Sequence, residues 1–288
     1  MFLMDTLTKA LFYVFLAGSM LGIGLKVGKE ELLTVVRDKD WLVRMFAANF
    51  LLIPAVGILA ARALAMKPQN ALALILLACA PGGMGALQFL TKKKDEAALA
   101  YGGGTTVLLS FLSIFLSPVL IALALPKGMT LTIPYGKAVL FVSLFMLLPL
   151  VLGILFHGTA LRKLAGPVAL IGTLAFIGIV VKLLAVTKLA KGEVGKKGLI
   201  GIVLFILISM LIGWILGGPR KFTRPVLATS SSMRNAALGL AIAVRSFPDL
   251  AVLAPLVAFA SIMVPVNLLF MVITKVGGKK AEKRAAEK

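Results

Sequence analysis

The sequence predicts an all-α polytopic membrane protein with about nine transmembrane helices. Of its 288 residues, 60% are hydrophobic and 15% are charged, whereas soluble domains are about 45–50% apolar and about 25% charged. A transmembrane helix requires roughly 20 mostly apolar residues. The stretches that meet this requirement are 8–25, 42–65, 70–91, 97–125, 137–157, 167–188, 198–218, 222–247 and 250–274. Most of the chain is therefore expected to face lipid or neighbouring helices.

The basic residues indicate how the chain is oriented in the membrane. The net charge of +20 arises from Lys and Arg residues that flank the apolar stretches, a distribution that argues against a nucleic-acid-binding domain. Beside the helices, 19 of them lie on the side that includes 26–44 and 275–288, and 10 lie on the other side, four of those in the loop 188–197. Because cytoplasmic loops carry the excess of Lys and Arg, we expect a multi-pass protein of the cell (plasma) membrane with its N-terminus outside and a basic cytoplasmic tail at 275–288.

Two of the nine stretches contain residues that interrupt a helix. The third contains Pro81, Gly82 and Gly83, and the eighth contains three serines at 230–232 followed by Arg234. Proline removes a backbone donor, glycine tolerates unwound backbone, and serine competes for backbone hydrogen bonds. Paired interrupted helices in the two halves of a chain indicate an inverted-repeat transporter with its binding site near the bilayer midplane. Two ordinary kinked helices are the alternative interpretation.

Arg234 is the most informative single residue. A charged side chain at the bilayer centre is costly, and arginine cannot avoid the cost by losing its proton. None of the 11 acidic residues lies deep within a predicted span. The possible partners are an anionic substrate, water in a cavity, or the carbonyl groups of the broken helices. We therefore keep two interpretations of Arg234, contact with a substrate and a purely structural role.

The half-helices that would begin at Gly85 and Arg234 also favour an anion. The first turn of a helix presents unpaired N–H groups and the positive end of the helix dipole. Such ends bind anions readily. The candidate substrate-binding residues are Arg234, Asn235, Gly82, Gly83, Gly85 and Asn49.

An enzyme is not expected from this sequence. Covalent catalysis needs a nucleophile beside a base, and metal catalysis needs a ligand cluster. The chain has one cysteine, Cys79, and one histidine, His157. We expect no cofactor other than a coupling ion, no nucleic acid and no required protein partner, only the lipid bilayer and a small organic anion. An anion channel is a further alternative, although it would need a continuous polar pore.

At the two breaks the chain resembles the bile acid:sodium symporter family. The stretch 79–84, Cys-Ala-Pro-Gly-Gly-Met, is similar to that family's Cys-x-Pro-Gly-Gly-Thr motif. The stretch 233–238, Met-Arg-Asn-Ala-Ala-Leu, is similar to its Met-Gln-Asn-Ser-Gly-Leu motif. The Gly-Ile-Gly-Leu at 22–25, and Asn49 with Pro54, also fall where the family has similar residues. The resemblance extends over essentially the whole chain.

The resemblance implies an architecture and a function. Two inverted repeats would form a panel domain and a core domain, in which two broken helices cross near sodium and substrate sites. Substrates would be bile acids or smaller organic anions such as keto acids and sulfated steroids, carried by alternating access. The first repeat, 1–125, would have panel helix 8–25 and core helices 42–125 with a break at 81–85; the second, 137–274, would have panel helices 137–188 and core helices 198–274 with a break at 230–235.

Departures from the family pattern bear on the coupling ion. The family's sodium-binding Ser-Asn pair is Ala86-Leu87 in this chain, its acidic ligand is Ser230, and its crossing glutamine is Arg234. Two couplings therefore stay open: sodium symport, which is the family default, and sodium-independent uniport, exchange or proton coupling with Arg234 in place of bound sodium. The residues left as ion-binding candidates are Ser230, Ser231, Met233 and Asn49.

The charge asymmetry makes the predicted topology testable. Single cysteines introduced at 92–94 and at 277–288, in a background without Cys79, should react with a membrane-impermeant thiol reagent only after the cells are permeabilised. Labelling of either segment in intact cells would contradict the predicted orientation.

Overall fold

The computed structural model describes residues 6–83, 96–125, 134–187, 194–220, 222–247 and 252–286, and all regular structure in these residues is helical. Seven of the helices are long and apolar enough to cross a membrane. The helices are α1 (Thr6–Lys26), α2 (Lys29–Arg37), α3 (Lys39–Ala63), α4 (Pro68–Ala78), α5 (Glu96–Ala124), α6 (Tyr135–Phe156), α7 (Ala165–Thr187), α8 (Gly195–Leu216), α9 (Thr223–Ser232), α10 (Ala236–Ser246) and α11 (Leu253–Ala286).

The predicted spans agree with these helices at seven positions, and the other two predicted spans are broken. The stretch 70–91 contains α4, which ends at Ala78, while 84–91 lies outside the described residues. The stretch 222–247 contains α9 and α10, separated by the residues 233–235. The second break is shorter than the predicted 230–235, because α9 continues to Ser232. The next helix starts at Ala236, two residues after the predicted Arg234.

The structure contains two helical segments that the sequence did not predict. The short helix α2 lies between the first two spans, and Glu31 caps its first turn by accepting a hydrogen bond from the Gly28 N–H. The segment from 275 to Ala286, which belongs to the predicted basic tail, continues α11. Its Ala, Glu and Lys residues are good helix formers, which explains the continuation.

Small residues pack α1 directly against α6 and α7. A Cβ atom added to Gly18 would lie 3.3 Å from the Cα of Gly172, and one added to Gly22 would lie 3.1 Å from the Cβ of Ala169. On the other side of α1, a Cβ at Gly24 would lie 2.8 Å from the Cα of Gly153. Helices in lipid associate through such small residues because the backbones can approach closely. The α1–α6–α7 layer is therefore one closely packed unit.

The remaining spanning helices form a second group around the broken segments. Helix α8 packs closely on α9, since a Cβ at Gly213 would lie 2.5 Å from the Leu227 carbonyl oxygen. Helix α4 contacts α3, α10 and α11. The Phe205 ring of α8 lies 5.9 Å from the Phe259 ring of α11. These helices, α3 to α5 and α8 to α11, enclose both breaks and are called the crossing group.

The contact of α1 with α6 provides a stability test. Gly24→Ala should lower the free energy of unfolding by about 1–3 kcal/mol, because the new methyl group would collide with the Leu150 carbonyl oxygen. Gly166→Ala is the control, since no heavy atom lies within 4 Å of a Cβ there. Thermal unfolding of the purified protein in detergent would compare the two variants. Equal melting temperatures would contradict the inferred close packing.

Candidate functional site

The two broken segments meet and hydrogen-bond to each other. The Gly83 N–H donates to the Met233 carbonyl oxygen over 3.2 Å, and the Asn235 N–H donates to the Ala80 carbonyl oxygen over 2.8 Å. These bonds replace some of those that the helices lose where α4 and α9 end, since buried backbone groups need partners. The crossing is thus a paired element, in which the position of each break depends on the other.

Glycine is required at the crossing for two reasons. Gly82 has φ of +92°, a conformation that L-residues with side chains rarely adopt. At Gly83, a Cβ would lie 2.5 Å from the Arg234 carbonyl oxygen, so a larger residue would force the segments apart. Helix α5 fixes the same turn, because the Ser110 hydroxyl donates to the Gly82 carbonyl oxygen over 2.9 Å.

The guanidinium of Arg234 is fully buried and points toward α3 and α4. Its Nε donates to the Leu77 carbonyl oxygen over 2.9 Å, and its Nη2 donates to the carbonyl oxygen of Ala78. Both carbonyl groups lie in the last turn of α4, at the negative end of the helix dipole, and that of Leu77 also accepts from the Ala80 N–H over 3.0 Å. The cationic side chain therefore stabilises the end of the broken helix.

Asn49 supplies a further ligand to the same guanidinium. Its Oδ1 accepts from Nη1 of Arg234 over 2.8 Å, and its Nδ2 donates to the Ser231 hydroxyl over 3.1 Å. Asn49 lies in a π-helical turn, Ala47–Leu52, just before Pro54. Wide turns of this kind are frequent at functional sites. A longer contact of 3.4 Å joins Nη1 to the Ser231 carbonyl oxygen, so Arg234 is surrounded by uncharged oxygen atoms of α3, α4 and α9.

A cavity of about 160 Å³ lies between the α1–α6–α7 layer and the crossing group. Helices α1 and α7 form one wall, and the crossing with α10 and α11 forms the other. Its lining is largely apolar, with aromatic side chains on the wall formed by α1 and α7 and methionine side chains on both walls. The lining residues are Phe15, Ser19, Met20, Gly83, Thr173, Phe176, Met233, Arg234, Asn235, Ala236, Ala237, Ala260, Met263 and Val264.

Asn235, which lines this cavity, has a buried hydrogen-bond donor without a partner. Its Oδ1 caps α10 by accepting from the Leu238 N–H over 3.0 Å, which leaves Nδ2 as the free end of the amide. The residue is 2% exposed, and Nδ2 has no hydrogen-bond partner. An unpaired buried donor is costly and calls for a ligand or water. The positive end of the α10 dipole lies at the same place.

The structure divides the predicted site residues between two places. Gly83, Met233, Arg234 and Asn235 line the cavity, although Arg234 directs its guanidinium to the carbonyl groups instead. The other candidates lie beside the crossing or outside the description. Gly82 bonds to α5, Asn49 and Ser231 belong to the guanidinium shell, the buried Ser230 hydroxyl has no partner, and Gly85 lies outside the described residues.

Sequence reasoning missed the opposite wall of the cavity. Phe15, Ser19, Thr173 and Phe176 come from α1 and α7, which look like ordinary apolar spans. The hydroxyls of Ser19 and Thr173 donate to carbonyl groups of their own helices. Nothing in their local sequence distinguishes them from residues that only pack against helices or lipid.

A second polar cluster lies where α2 meets α3. The Asp38 carboxylate accepts 2.7 Å hydrogen bonds from the Tyr101 hydroxyl of α5 and from Arg220, which follows α8. It also accepts from the Trp41 N–H and so caps α3. The Tyr101 hydrogen bond, with those from Trp41 and Arg220, lowers the pKa of Asp38 to about 2 against the opposing effect of burial. The cluster joins α2 firmly to the crossing group.

Comparison with known proteins shows which family the chain belongs to. The family model described as the sodium bile acid symporter family matches residues 13–197, which is more than half of the chain. The chain is also 27% identical, over 286 residues, to a Bacillus subtilis protein named uncharacterized sodium-dependent transporter YocS, covering 95% of this chain and 84% of that protein. The predicted family is therefore confirmed, and the chain belongs to the sodium bile acid symporter family of membrane transporters.

Proposed function

We propose that this protein is a secondary active transporter that carries a small or amphipathic organic anion across the membrane by alternating access. The observation that carries the proposal is the cavity at the crossing, where the unpaired Nδ2 of Asn235 lies at the start of α10. Membership of the transporter family supports transport as the function. The residues that line the cavity support an organic anion as the substrate.

Two features of the cavity favour an anion. The Asn235 amide offers a hydrogen bond to an acceptor, and the N-terminal end of α10 favours negative charge. The guanidinium of Arg234 lies behind the cavity wall, where its charge acts through a low-dielectric interior. We thus assign Arg234 an indirect, electrostatic role instead of direct substrate contact.

The rest of the cavity favours an organic substrate with an apolar part. Phe15 and Phe176 stand on one wall, with their ring centres 4.9 Å apart, and Met233 and Met263 stand on the other. Methionine side chains adapt to irregular apolar surfaces. A carboxylate or sulfate group at Asn235, with an apolar body between these walls, fits this division into polar and apolar surface.

For alternating access, we propose that the α1–α6–α7 layer is the panel domain and that the crossing group is the core domain. The close packing within the layer supports its movement as a unit. The cavity between the two groups supports an exchange of access at that boundary. Nine spans in two inverted repeats, with the two broken helices crossing in the core, are part of the same proposal.

The anion site can be tested at Asn235. Asn235→Ser keeps an N-cap of similar strength but removes the amide donor, so we expect affinity to fall at least tenfold, or about 1.4 kcal/mol. Thermal-shift titration with taurocholate, 2-oxoisovalerate and oestrone sulfate would first identify a ligand and then measure the variant. Asn70→Ser is the control, because Asn70 is buried but lies outside this cavity. Unchanged affinity in Asn235→Ser would overturn the assignment of the anion group to α10.

A second candidate concerns the coupling ion. Sodium symport is supported by the family and by the printed name of the Bacillus subtilis relative. Sodium-independent transport is favoured by a feature of this chain, the guanidinium that already occupies an oxygen-lined position at the end of α4. Two unit charges 4 Å apart repel by about 4 kcal/mol at an effective dielectric constant of 20. A sodium ion near Arg234 would be destabilised accordingly.

Uptake measurements distinguish these couplings. If Arg234 replaces the ion, proteoliposomes should accumulate the identified anion equally under an inward sodium gradient and an equal choline gradient. Sodium should raise the melting temperature of Arg234→Gln, in which the oxygen shell loses its fixed cation, but not that of the unmodified protein. Uphill accumulation that requires sodium would disprove sodium independence, and uptake that never exceeds equilibrium would leave uniport and the channel alternative.

A further inference from the structure

We propose that Arg245 and three aromatic residues form a gate that closes the cavity toward the C-terminal end of α10. The aromatic residues, called the aromatic gate, are Tyr13, Phe141 and Phe145. The guanidinium carbon of Arg245 lies 4.3 Å from the centre of the Phe141 ring. Its Nη2 also donates to the Tyr13 hydroxyl over 3.4 Å. The proposal rests on the alternating-access function proposed above.

The aromatic gate is itself an ordered cluster. The rings of Tyr13 and Phe145 are stacked, with centres 4.6 Å apart and planes 19° from parallel. Phe141 packs edge-on against Tyr13 at 6.3 Å and lies 5.0 Å from Phe145. Arg245 therefore contacts a preformed aromatic surface, which is the geometry that a cation–π contact requires.

The gate contact joins the two groups that must move relative to each other. Arg245 belongs to α10 in the crossing group, whereas Tyr13 belongs to α1 and the two phenylalanines belong to α6 in the layer. Arg245 is eight residues beyond the cavity residue Ala237, which is roughly 12 Å along a helix. The contact therefore lies beyond the cavity toward one membrane surface, which is the outer surface in the predicted topology.

The character of the contact suits repeated opening. Within the layer, α1 meets its neighbours backbone to backbone at Gly18 and Gly24, and such packing cannot separate without opening a void. Arg245 reaches the layer with a long and exposed side chain. A cation–π contact of this kind shifts an equilibrium by between about twofold and thirtyfold. That range is large enough to favour the closed side and small enough to be reversed in each cycle.

Accessibility of a cavity thiol tests the gate. The reporter is Thr173→Cys, an exposed residue that lines the cavity, in a Cys79→Ala background. Phe141→Leu and, separately, Arg245→Gln should each raise the labelling rate by an impermeant maleimide from the outer side about threefold to tenfold. The double variant should label no faster than the faster single variant, because both substitutions remove the same contact between Arg245 and Phe141.

Matched variants separate gating from general loosening. Phe111→Leu changes an equally apolar ring on α5, outside the gate, and should leave the labelling rate unchanged. Tyr13→Phe keeps the stacked ring and removes only the hydroxyl, so its effect should be smaller than that of Phe141→Leu. It also provides a folded gate variant if Phe141→Leu lowers the melting temperature.

The outcomes distinguish the gate from the proposed function. Unchanged labelling in both Phe141→Leu and Arg245→Gln, while the anion found by thermal shift still protects the reporter thiol, would overturn the gate and leave the function standing. Faster labelling in both, with no organic anion that binds or protects the reporter, would support the gate and contradict the proposed substrate. Faster labelling together with protection would support both.

Discussion

The crossing depends on the placement of one positive charge at the end of a helix. Where α4 stops at Ala78, its last carbonyl groups lose the N–H partners that a continuing helix would supply, although the Leu77 carbonyl still accepts from the Ala80 N–H over 3.0 Å. Arg234 reaches these groups from the other broken segment and also binds Asn49 of α3. The guanidinium supplies donors to the carbonyl groups at the break, and these carbonyl groups in turn stabilise its buried charge. The unwound backbone that supports the cavity is stable for this reason.

This arrangement gives the cavity a fixed electrostatic character. A bound metal ion at the same position could leave, and the positive potential would leave with it. A guanidinium that is covalently part of the chain cannot dissociate, so the potential behind Met233 and Asn235 persists with or without a ligand. The donor end of Asn235 and the start of α10 act in the same direction. The anion proposed as substrate would thus be favoured by three groups that all belong to one short segment of the chain.

Sequence patterns predicted the seven long apolar helices of the described residues because hydropathy acts locally. They misplaced the start of the second break, since Thr229 and Ser232 satisfy their hydroxyls on carbonyl groups of their own helix, and α9 continues through them. Helix α2 was missed because a criterion of roughly 20 apolar residues overlooks an amphipathic helix of nine residues. The partners of Arg234 and the far wall of the cavity arise from tertiary packing, which no single stretch of sequence encodes.

The attachment of α2 limits how the layer can move. Helix α2 rests on α5 so closely that a Cβ at Gly104 would strike the Glu31 carbonyl oxygen, and Asp38 holds its other end. Only Val27 and Gly28 separate α2 from α1. Two extended residues span at most about 7 Å. In the alternating access proposed for this protein, the layer could therefore only tilt on this face of the membrane unless α2 leaves α5.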